Sequence, residues 1–455
     1  MSASTTAAAT AHFETATYRK IAWRLVPYVF LLYVIAFLDR VNVSYAKLQM
    51  SADLGFSESV YGFGAGLFFV GYFFLEIPSN LILHRVGARI WIARILIIWG
   101  LISASFMYVE PISRFFHVDT ATGFYALRFL LGLGEAGFFP GIILYLTYWF
   151  PAQRRARMVA TFMTAIPISG VIGGPMSGWI MKSLAGAGGL AGWQWLFLLE
   201  GLPAVVFGFV TIWYLDNGPK SVPWLTSEEH DLVVEQLEQE RKQKDAVGGH
   251  GAFLASIKDY RVWVLALIYF SNVIAFYGVS MFLPQLIKEM GVTDVFHNGL
   301  ISAIPWAVAA VAMVLNGRHS DRTLERRWHV AVPGFAAGVG LAVAAYIGTS
   351  SIVVAMAALA VTTAGSLCIP PVFWSLTTSF LSGTAAAGSI ALINSFGALG
   401  GMPGPWLVGV VKDMTGSPAN ALYVLSGFFV LCGVLTVTVF KRAAVAPVPR
   451  PASVS

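Results

Sequence analysis

Charge is what this sequence has least of. Lys, Arg, Asp and Glu together make up 11% of its 455 residues, whereas a soluble domain carries about 25%. The two cysteines, Cys368 and Cys432, stand in apolar runs, which predicts neither a disulfide framework nor a thiolate metal site. The sequence also has no Walker A loop and no HExxH motif, so it does not indicate a nucleotide-driven pump or a zinc hydrolase.

Long apolar runs take the place of charge, in a chain that is 57% hydrophobic with a mean hydropathy of +0.71. Runs of about 20 apolar residues are typical of membrane-spanning helices. Twelve are predicted, at 21–43, 57–83, 90–109, 122–149, 158–182, 195–215, 260–284, 296–316, 329–348, 351–380, 385–411 and 420–440. The predicted fold class is therefore an all-α integral membrane protein with twelve transmembrane helices in two pseudo-symmetric six-helix halves.

A polar stretch between the sixth and seventh spans separates the two halves. It carries charges of both signs and begins with Thr226 or Ser227 as a helix N-cap, which predicts a linker with a short amphipathic helix. The predicted organisation is an N-terminal tail at 1–20, a first half at 21–215, a linker at 216–258, a second half at 259–441 and a C-terminal tail at 442–455.

Basic residues indicate the orientation of the chain in the membrane. Lys and Arg are concentrated in the loops on the side of the N-terminus, and such loops face the cytoplasm. Both termini and the linker are therefore predicted to be cytoplasmic, although the loop after the tenth span carries no basic residue. The net charge of +6 is attributed to these loops, so no nucleic acid or nucleotide partner is expected.

Several motifs resemble the major facilitator superfamily. The segment GRHSDRTLERR resembles its loop motif, at Gly317, Asp321, Arg322, Arg326 and Arg327. The corresponding first-half segment, NLILHRVGAR, departs from the motif because His84 stands in place of the acid. The segments FLDRVNVSYA, GYFFLEIPSNLIL, LRFLLGLGEAGFFPG and YLTYWFP resemble the anion:cation symporter branch, whose bacterial members take up organic acids.

The resemblance implies a proton-coupled symporter of the bacterial inner membrane that works as a monomer by rocker-switch alternating access. Its substrate would be a small organic carboxylate, with tartrate-like hydroxy or dicarboxylic acids preferred, and its coupling ion a proton, with no other cofactor and no metal. Aromatic acids such as phthalate or hydroxyphenylacetate, and sugar acids such as galactonate or glucarate, stay open. An organic-anion effluxer is the alternative direction. An intramembrane enzyme is not expected, because the sequence contains no visible nucleophile–base or metal constellation.

Ionisable residues inside a membrane span are costly and point to function. Those well inside the predicted spans are Asp39, Arg40, Glu76, Arg128, Glu135 and Glu200. Arg128 and Glu135 are seven residues apart, which places them on one helix face about two turns apart. Gly132 lies between them and would allow another helix to approach closely.

These charges form a hypothesis for proton coupling. Burial favours the neutral form of a carboxyl, and a neighbouring guanidinium favours the ionised form. We expect Asp39 and Glu135 to bind the coupling protons and Arg40 to bind the substrate carboxylate with its planar fork. Arg128 is expected to pair with one of the acids when substrate is absent. The resemblance implies the same division of roles, and the alternative is a structural ion pair that holds helices together.

Two groups of residues are predicted to form gates. Glu76, near the cytoplasmic end of the second span, is expected to pair with the basic loop that contains Arg85 and Arg89. In the loop motif, Asp321 is expected to contact a neighbouring arginine (Arg322, Arg326 or Arg327) or the N-terminus of a helix, next to Gly317. Such contacts would stabilise the outward-open state.

The resemblance also places substrate contacts at Tyr72 in the second span, Trp374 in the tenth and Asn394 in the eleventh. An organic acid needs hydrogen-bond donors and flat apolar walls, which these three side chains offer. Core or interfacial packing is the alternative for Tyr72 and Trp374.

Overall fold

A computed structural model describes residues 3–245, 259–380 and 384–439. The first-half helices are α1 (Ala3–Asp53), α2 (Glu58–Val86), α3 (Ala88–Ser105), α4 (Val109–Phe115), α5 (Thr120–Glu135), α6 (Phe138–Thr147), α7 (Ala152–Met163), α8 (Ala165–Ser183) and α9 (Gly192–Tyr214). The linker carries α10 (Ser227–Asp245). The second-half helices are α11 (Tyr260–Ser280), α12 (Leu283–Glu289), α13 (Val295–Thr323), α14 (Arg327–Ile347), α15 (Ile352–Phe380), α16 (Thr384–Ala398), α17 (Pro403–Thr415) and α18 (Ala419–Val439).

Eleven helical segments of the described chain are long and apolar enough to cross a membrane, one fewer than the twelve runs predicted. The eleventh predicted run, at 385–411, is helical but interrupted: α16 ends at Ala398, a 3-10 turn covers Leu399–Gly401, and α17 begins at Pro403. Because proline cannot donate a backbone hydrogen bond to the preceding turn, the run divides into two shorter helices.

The fourth predicted run is also interrupted, at a position that matters for the site. Helix α5 ends at Glu135, and Gly137 adopts a left-handed backbone with φ of 85° before α6 begins. Glycine is favoured there because a side chain would strain that conformation, and a Cβ on Gly137 would also lie 2.3 Å from Ser79 Oγ. A discontinuous helix at mid-membrane is a recurrent feature of transporter binding sites.

Helix α1 begins well before the first predicted span and extends through most of the predicted N-terminal tail. Just before the first predicted span, α1 packs against the linker helix. Lys20 Nζ lies 2.6 Å from Glu229 Oε2, and Tyr18 Oη donates to Gln236 Oε1 at 2.9 Å. Thr226 caps α10 by accepting a hydrogen bond from the Glu229 backbone N–H at 3.3 Å. The rest of the linker, 246–258, and the predicted C-terminal tail, 442–455, lie outside the described residues.

The most extensive contacts between the halves are made by two pairs of helices, α2 with α17 and α8 with α13. Glycines allow the backbones to approach closely there. A Cβ on Gly62 of α2 would lie 2.4 Å from Pro405 O, and one on Gly299 of α13 would lie 2.1 Å from Gly174 O of α8. We call the end of the bundle where α2 stops and α3 starts the near end, and the end where α1 stops and α2 starts the far end.

Candidate functional site

A cavity of about 110 Å³ lies between the two halves. Helices α1 and α2 contribute Arg40 and Tyr72, and the second half contributes Tyr269, Asn272, Tyr277 and Asn394. Of the described residues that line it, Arg40 alone carries a charged side chain. Most of the remaining wall is aromatic or aliphatic. The cavity therefore combines one fixed positive charge with neutral hydrogen-bonding groups and flat apolar surfaces.

Arg40 is held in the cavity wall by contacts from both halves. Its Nη2 donates to Glu135 Oε1 and forms an ion pair with it, and its Nη1 donates to Tyr277 Oη at 3.3 Å. Its Cζ lies 5.3 Å from the ring centre of Phe68 and 5.5 Å from that of Tyr72, within the range of a cation–π contact. The cation is thus shared between one carboxylate and aromatic faces.

Glu135 is buried at the last residue of α5. Its Oε2 has no hydrogen-bond partner among the described residues. The helix break immediately after it brings this carboxylate against Arg40 of α1, a partner that the sequence did not identify. Seven-residue spacing does place Arg128 and Glu135 on the buried side of one helix, as predicted.

Asp39 points away from its neighbour Arg40. Its Oδ1 accepts hydrogen bonds from Asn42 Nδ2 at 3.0 Å and from Ser103 Oγ, and the residue is fully buried. Its Oδ2 has no hydrogen-bond partner among the described residues. Asp39 is therefore a carboxyl bonded by neutral donors beside, but outside, the lining of the cavity.

Arg128 does not form the ion pair expected for the substrate-free protein. Its Nε donates to Gly64 O at 3.3 Å and its Nη2 to Ala65 O at 3.1 Å. No carboxylate lies within ion-pair distance of it in the part of the chain that the structure describes. Arg128 is fully buried and its Cζ lies 5.3 Å from the Phe68 ring centre. It binds the backbone of α2 because α5 packs closely against that helix, where a Cβ on Gly132 would lie 2.0 Å from Phe68 O.

The three predicted substrate contacts differ in where they lie. Tyr72 and Asn394 line the cavity from opposite halves. Trp374 does not line it; its ring packs edge-on against Tyr269, with centroids 5.2 Å apart, and Tyr269 forms the wall. In this conformation Trp374 supports a lining residue instead of reaching the cavity.

Sequence reasoning missed the contribution of α11. Tyr269, Asn272 and Tyr277 line the cavity, and Asn272 Oδ1 accepts from Ser366 Oγ at 2.9 Å. The sequence did contain an indication of this, because the segment YFSNVIAFYGVS carries polar side chains within an otherwise apolar run. Tyr72 stands in the same kind of apolar surroundings.

Glu76 lies near the basic loop in sequence but bonds elsewhere. Its Oε1 accepts from Asn394 Nδ2 and its Oε2 from Ser395 Oγ at 3.1 Å, both on α16 of the second half. The expected partners are not engaged: Arg85 is exposed, and the Arg89 backbone N–H donates to Asn217 Oδ1 at 3.0 Å. The predicted ion pair with the loop is therefore wrong for this conformation, because the side chain of Glu76 points into the bundle.

The loop motif forms its contacts within the second half. Arg326 Nη1 lies 2.7 Å from Asp321 Oδ1 and also donates to Ser320 Oγ at 2.8 Å. Arg327 Nη2 donates to Val437 O, and Arg322 is exposed. A Cβ on Gly317 would meet no atom within 4 Å. Of the contacts expected for Asp321, the one with Arg326 is present.

Ion pairs join the two halves at the far end, and the sequence did not predict which residues form them. Lys412 Nζ of α17 lies 2.7 Å from Glu58 Oε1 of α2, and Glu58 Oε2 lies 2.6 Å from Lys47 Nζ of α1. Asp413 accepts from the backbone N–H groups of Glu58 and Ser59 at 3.1 and 2.8 Å. These contacts join the first half to the second. Lys47 is buried inside α1.

A second far-end pair is exposed to solvent. Lys182 Nζ, at the end of α8, lies 2.6 Å from Asp294 Oδ2, just before α13. The Lys182 ammonium, aided by the backbone N–H of His297, lowers the pKa of Asp294 to about 2. The carboxylate is consequently ionised, and the pair intact, across the physiological range.

Glu200, the acid inside a span to which the sequence assigns no role, lies within α9. It is buried, and its Oε1 accepts from Ser177 Oγ at 2.7 Å. It does not line the cavity.

Comparison with known proteins gives the family. Residues 29–405 match the family model described as Major Facilitator Superfamily. A protein of Agrobacterium vitis, provisionally named a tartrate transporter, is 48% identical over 430 residues that cover 94% of this chain and 96% of that protein. The quinolone resistance transporter of Acinetobacter baumannii is 37% identical over 430 residues, again 94% of this chain and 96% of that protein.

The solved structures give the fold. The xylose transporter XylE from Escherichia coli, in a partially occluded inward-open conformation, matches with a TM-score of 0.73 over 92% of this chain and 99% of that one. At 15% sequence identity this likeness concerns the fold alone. Together with the family model, it confirms the predicted fold class of an all-α integral membrane protein.

Proposed function

The chain belongs to the major facilitator superfamily, and from that premise we propose that it is a proton-coupled symporter that imports a small organic carboxylate. Membership of this family makes it a transporter and not an enzyme, as the sequence predicted. A tartrate-like hydroxy or dicarboxylic acid is the substrate we propose, since a relative 48% identical carries that name. The proposed setting is a bacterial inner membrane, with both termini cytoplasmic and a single chain as the working unit.

The observation that carries the proposal is the Arg40–Glu135 pair at the wall of the cavity. While Glu135 is ionised, it competes with any anion for the guanidinium. Protonation of Glu135 removes that competitor, and Arg40 is then available to a substrate carboxylate in a bidentate contact. Proton and anion therefore favour each other's binding, which is the linkage that symport requires.

Asp39 is the second carboxyl in this proposal. It has no guanidinium partner within ion-pair distance among the described residues, and neutral donors from Asn42 and Ser103 hold it. Such a carboxyl gains or loses a proton without breaking the Arg40 contact. Its position directly before Arg40 in α1 would transmit the change in charge to the anion site.

Alternating access follows from the arrangement of contacts at the two ends. With the N-terminus cytoplasmic, the far end faces outward, and the chain of ion pairs from Lys47 through Glu58 to Lys412 closes it. We propose that these pairs separate when the halves rock to admit substrate from outside. The Glu76 contacts with α16 link the halves on the near side.

The test is transport by purified protein in proteoliposomes. We expect tartrate accumulation when an inward proton gradient is imposed, abolition of accumulation by an uncoupler, and no effect of ATP. Asp39→Asn and Glu135→Gln should lose proton-driven accumulation but keep tartrate counterflow, because exchange does not require net proton movement. Glu110→Gln, an exposed carboxyl of α4, serves as the control and should accumulate tartrate like the wild type. Full accumulation in both site variants would overturn the coupling scheme.

Efflux of flat aromatic compounds is the second candidate. The 37% identical quinolone resistance transporter and the aromatic lining at Phe37, Phe68 and Phe276 favour it. A substrate panel separates the candidates: tartrate, phthalate, hydroxyphenylacetate, galactonate and a quinolone are compared in the same vesicles. If the quinolone moves in the direction opposite to the protons and none of the acids is taken up, the protein is an effluxer and not a symporter.

A further inference from the structure

Glu76 is a buried carboxylate that bridges the two halves beside the cavity. It belongs to α2 and is 4% exposed. Both of its oxygens accept hydrogen bonds from neighbouring residues of α16: Oε1 from the Asn394 amide and Oε2 from the Ser395 hydroxyl. The second half therefore contains two adjacent neutral donors that bind one carboxylate at two points.

No cation neutralises Glu76 directly. It forms no ion pair within the described ranges of the chain, and the groups that face it are Arg40 of α1, Tyr72 of α2 and Tyr269 of α11. Arg40 is occupied by Glu135. Burial of an unpaired carboxylate costs stability, so the arrangement is hard to explain as a device that holds the helices together.

The amide that binds Glu76 also faces the substrate site. Asn394 lines the same cavity as Arg40, and its Nδ2 is the group of that side chain that can donate a hydrogen bond to a carboxylate. That atom already donates to Glu76. A substrate carboxylate and the Glu76 carboxylate therefore need the same donor.

We propose that Glu76 is an internal competitor for the substrate carboxylate, occupying the Asn394 and Ser395 donors in the empty protein. The proposal rests on the proposed function, since it assumes an anionic substrate. When the substrate binds, its carboxylate takes the Asn394 donor, which lines the cavity, and Glu76 is released. The link between α2 and α16 is broken in the same step, so occupancy of the site favours separation of the halves at the near end.

This exchange also gives selectivity. A substrate that carries a carboxylate can replace Glu76 at the Asn394 amide, whereas a neutral molecule of the same shape leaves the competitor in place. Glu76 therefore favours the binding of anions over the binding of neutral polyols.

The test is equilibrium binding of tartrate to the purified full-length protein. In Glu76→Gln the competing charge is absent and the α16 donors are free for more of the time, so we expect tartrate to bind about tenfold more tightly. Binding of threitol, the neutral analogue with the same carbon chain, should rise from undetectable to measurable. Glu200→Gln removes an equally buried first-half carboxyl that bonds to Ser177 outside the cavity, and its tartrate affinity should match the wild type.

A double-mutant cycle shows whether the effect passes through Asn394. In an Asn394→Ala background, Glu76→Gln should give no further tightening, because the shared donor is gone. Glu76→Asp, which keeps the charge but is one methylene shorter, should give a smaller increase in affinity and replaces the Gln variant if that variant does not fold.

Equal or weaker tartrate binding by a correctly folded Gln or Asp variant would overturn the proposal while leaving the symporter assignment intact. Tightening that persists in the Asn394→Ala background would overturn the shared-donor step. If the wild type binds none of the acids in the substrate panel, the proposed function fails and the competitor role fails with it.

Discussion

The two halves of the molecule build their polar interiors differently. The first half buries seven charged side chains: Asp39, Arg40, Lys47, Glu76, Arg128, Glu135 and Glu200. In the second half, no Asp, Glu, Lys or Arg among the described residues is buried, and the buried polar groups are neutral. Only ionisable groups can gain or lose a proton, so under the proposed function the first half would supply the coupling chemistry and the second half neutral recognition.

The cavity repeats this division on a smaller scale. Arg40 enters from the first half with its partner Glu135, while the second half offers the Tyr277 hydroxyl and the Asn394 amide. Under the proposed function, the charged group in one wall would select the sign of the ligand, and the neutral groups in the other wall would select its shape. The following predictions test this division, from the largest expected effect to the smallest.

The largest effect should come from breaking the buried ion pair in the first half. Arg40→Met leaves Glu135 buried without its cation, which costs about 3–5 kcal/mol of stability. We expect a marked fall in the melting temperature in detergent and loss of tartrate binding.

The double variant Arg40→Met/Glu135→Gln distinguishes stability from function in this pair. Removal of both charges should restore most of the melting temperature without restoring binding, because the anion site is still absent. If the double variant is no more stable than Arg40→Met alone, the pair does not account for the charge balance of the first half.

Packing between the halves, unlike charge, should be symmetric. Gly174→Ala and Gly299→Ala each place a Cβ within 2.3 Å of the opposite backbone, so either substitution should force α8 and α13 apart at a cost of about 1–3 kcal/mol. We expect a larger spin-label distance between positions 187 and 293 at the far end, by a similar amount in both variants.

Gly427→Ala is the control for these packing variants, because a Cβ there meets no atom within 4 Å. Its spin-label distance should equal that of the wild type. An effect from only one of Gly174→Ala and Gly299→Ala would contradict the symmetric contact.

In the second half, loss of a neutral donor should weaken binding without uncoupling transport. Asn394→Ala removes a hydrogen bond to a charged ligand, worth about 1.5–3 kcal/mol, so tartrate affinity should fall about 10- to 100-fold. At saturating tartrate, proton-driven accumulation should persist. Asn80→Ala is a matched control, since that amide bonds to the Glu76 backbone carbonyl in its own helix. Loss of proton dependence in Asn394→Ala would contradict the division between the halves.

The smallest effect should come from the exposed far-end pair of Lys182 and Asp294. The pKa of Asp294 is lowered to about 2, so the pair contributes above the ordinary carboxyl range and is lost as the pH falls toward that value. The melting temperature of the wild type should exceed that of Asp294→Asn slightly at pH 5–8, and the difference should disappear as the pH falls from about 4 to about 2. A difference that grows on acidification would have the wrong sign.

Much of the architecture could be predicted from the sequence because it depends on transfer of the chain into lipid. Apolar runs long enough to cross a membrane must become helices, since backbone polar groups in lipid need internal partners. The same reasoning singled out Asp39, Arg40, Arg128 and Glu135 as costly residues, and all four are buried.

Which of these residues contact each other depends on where helices end and turn, and the composition of the sequence does not determine those positions. Glu135 reaches Arg40 because α5 ends at that residue and the chain turns at Gly137. Arg128 bonds to the backbone of α2 instead of an acid, and Glu76 points into the bundle instead of toward the basic loop. Each outcome depends on the direction of a side chain relative to a helix from a distant part of the chain.

The sequence by itself determined that this protein lives in a membrane, that it is helical, and which few charges it buries, because hydrophobicity and the cost of burying charge are properties of each local segment. Only the tertiary structure decided which charges meet, which groups share the cavity, and that Asn394 both bonds to Glu76 and lines the cavity. Those facts depend on how α1, α2, α5 and α16 pack together, and close packing is a property of the assembled halves, not of any one span.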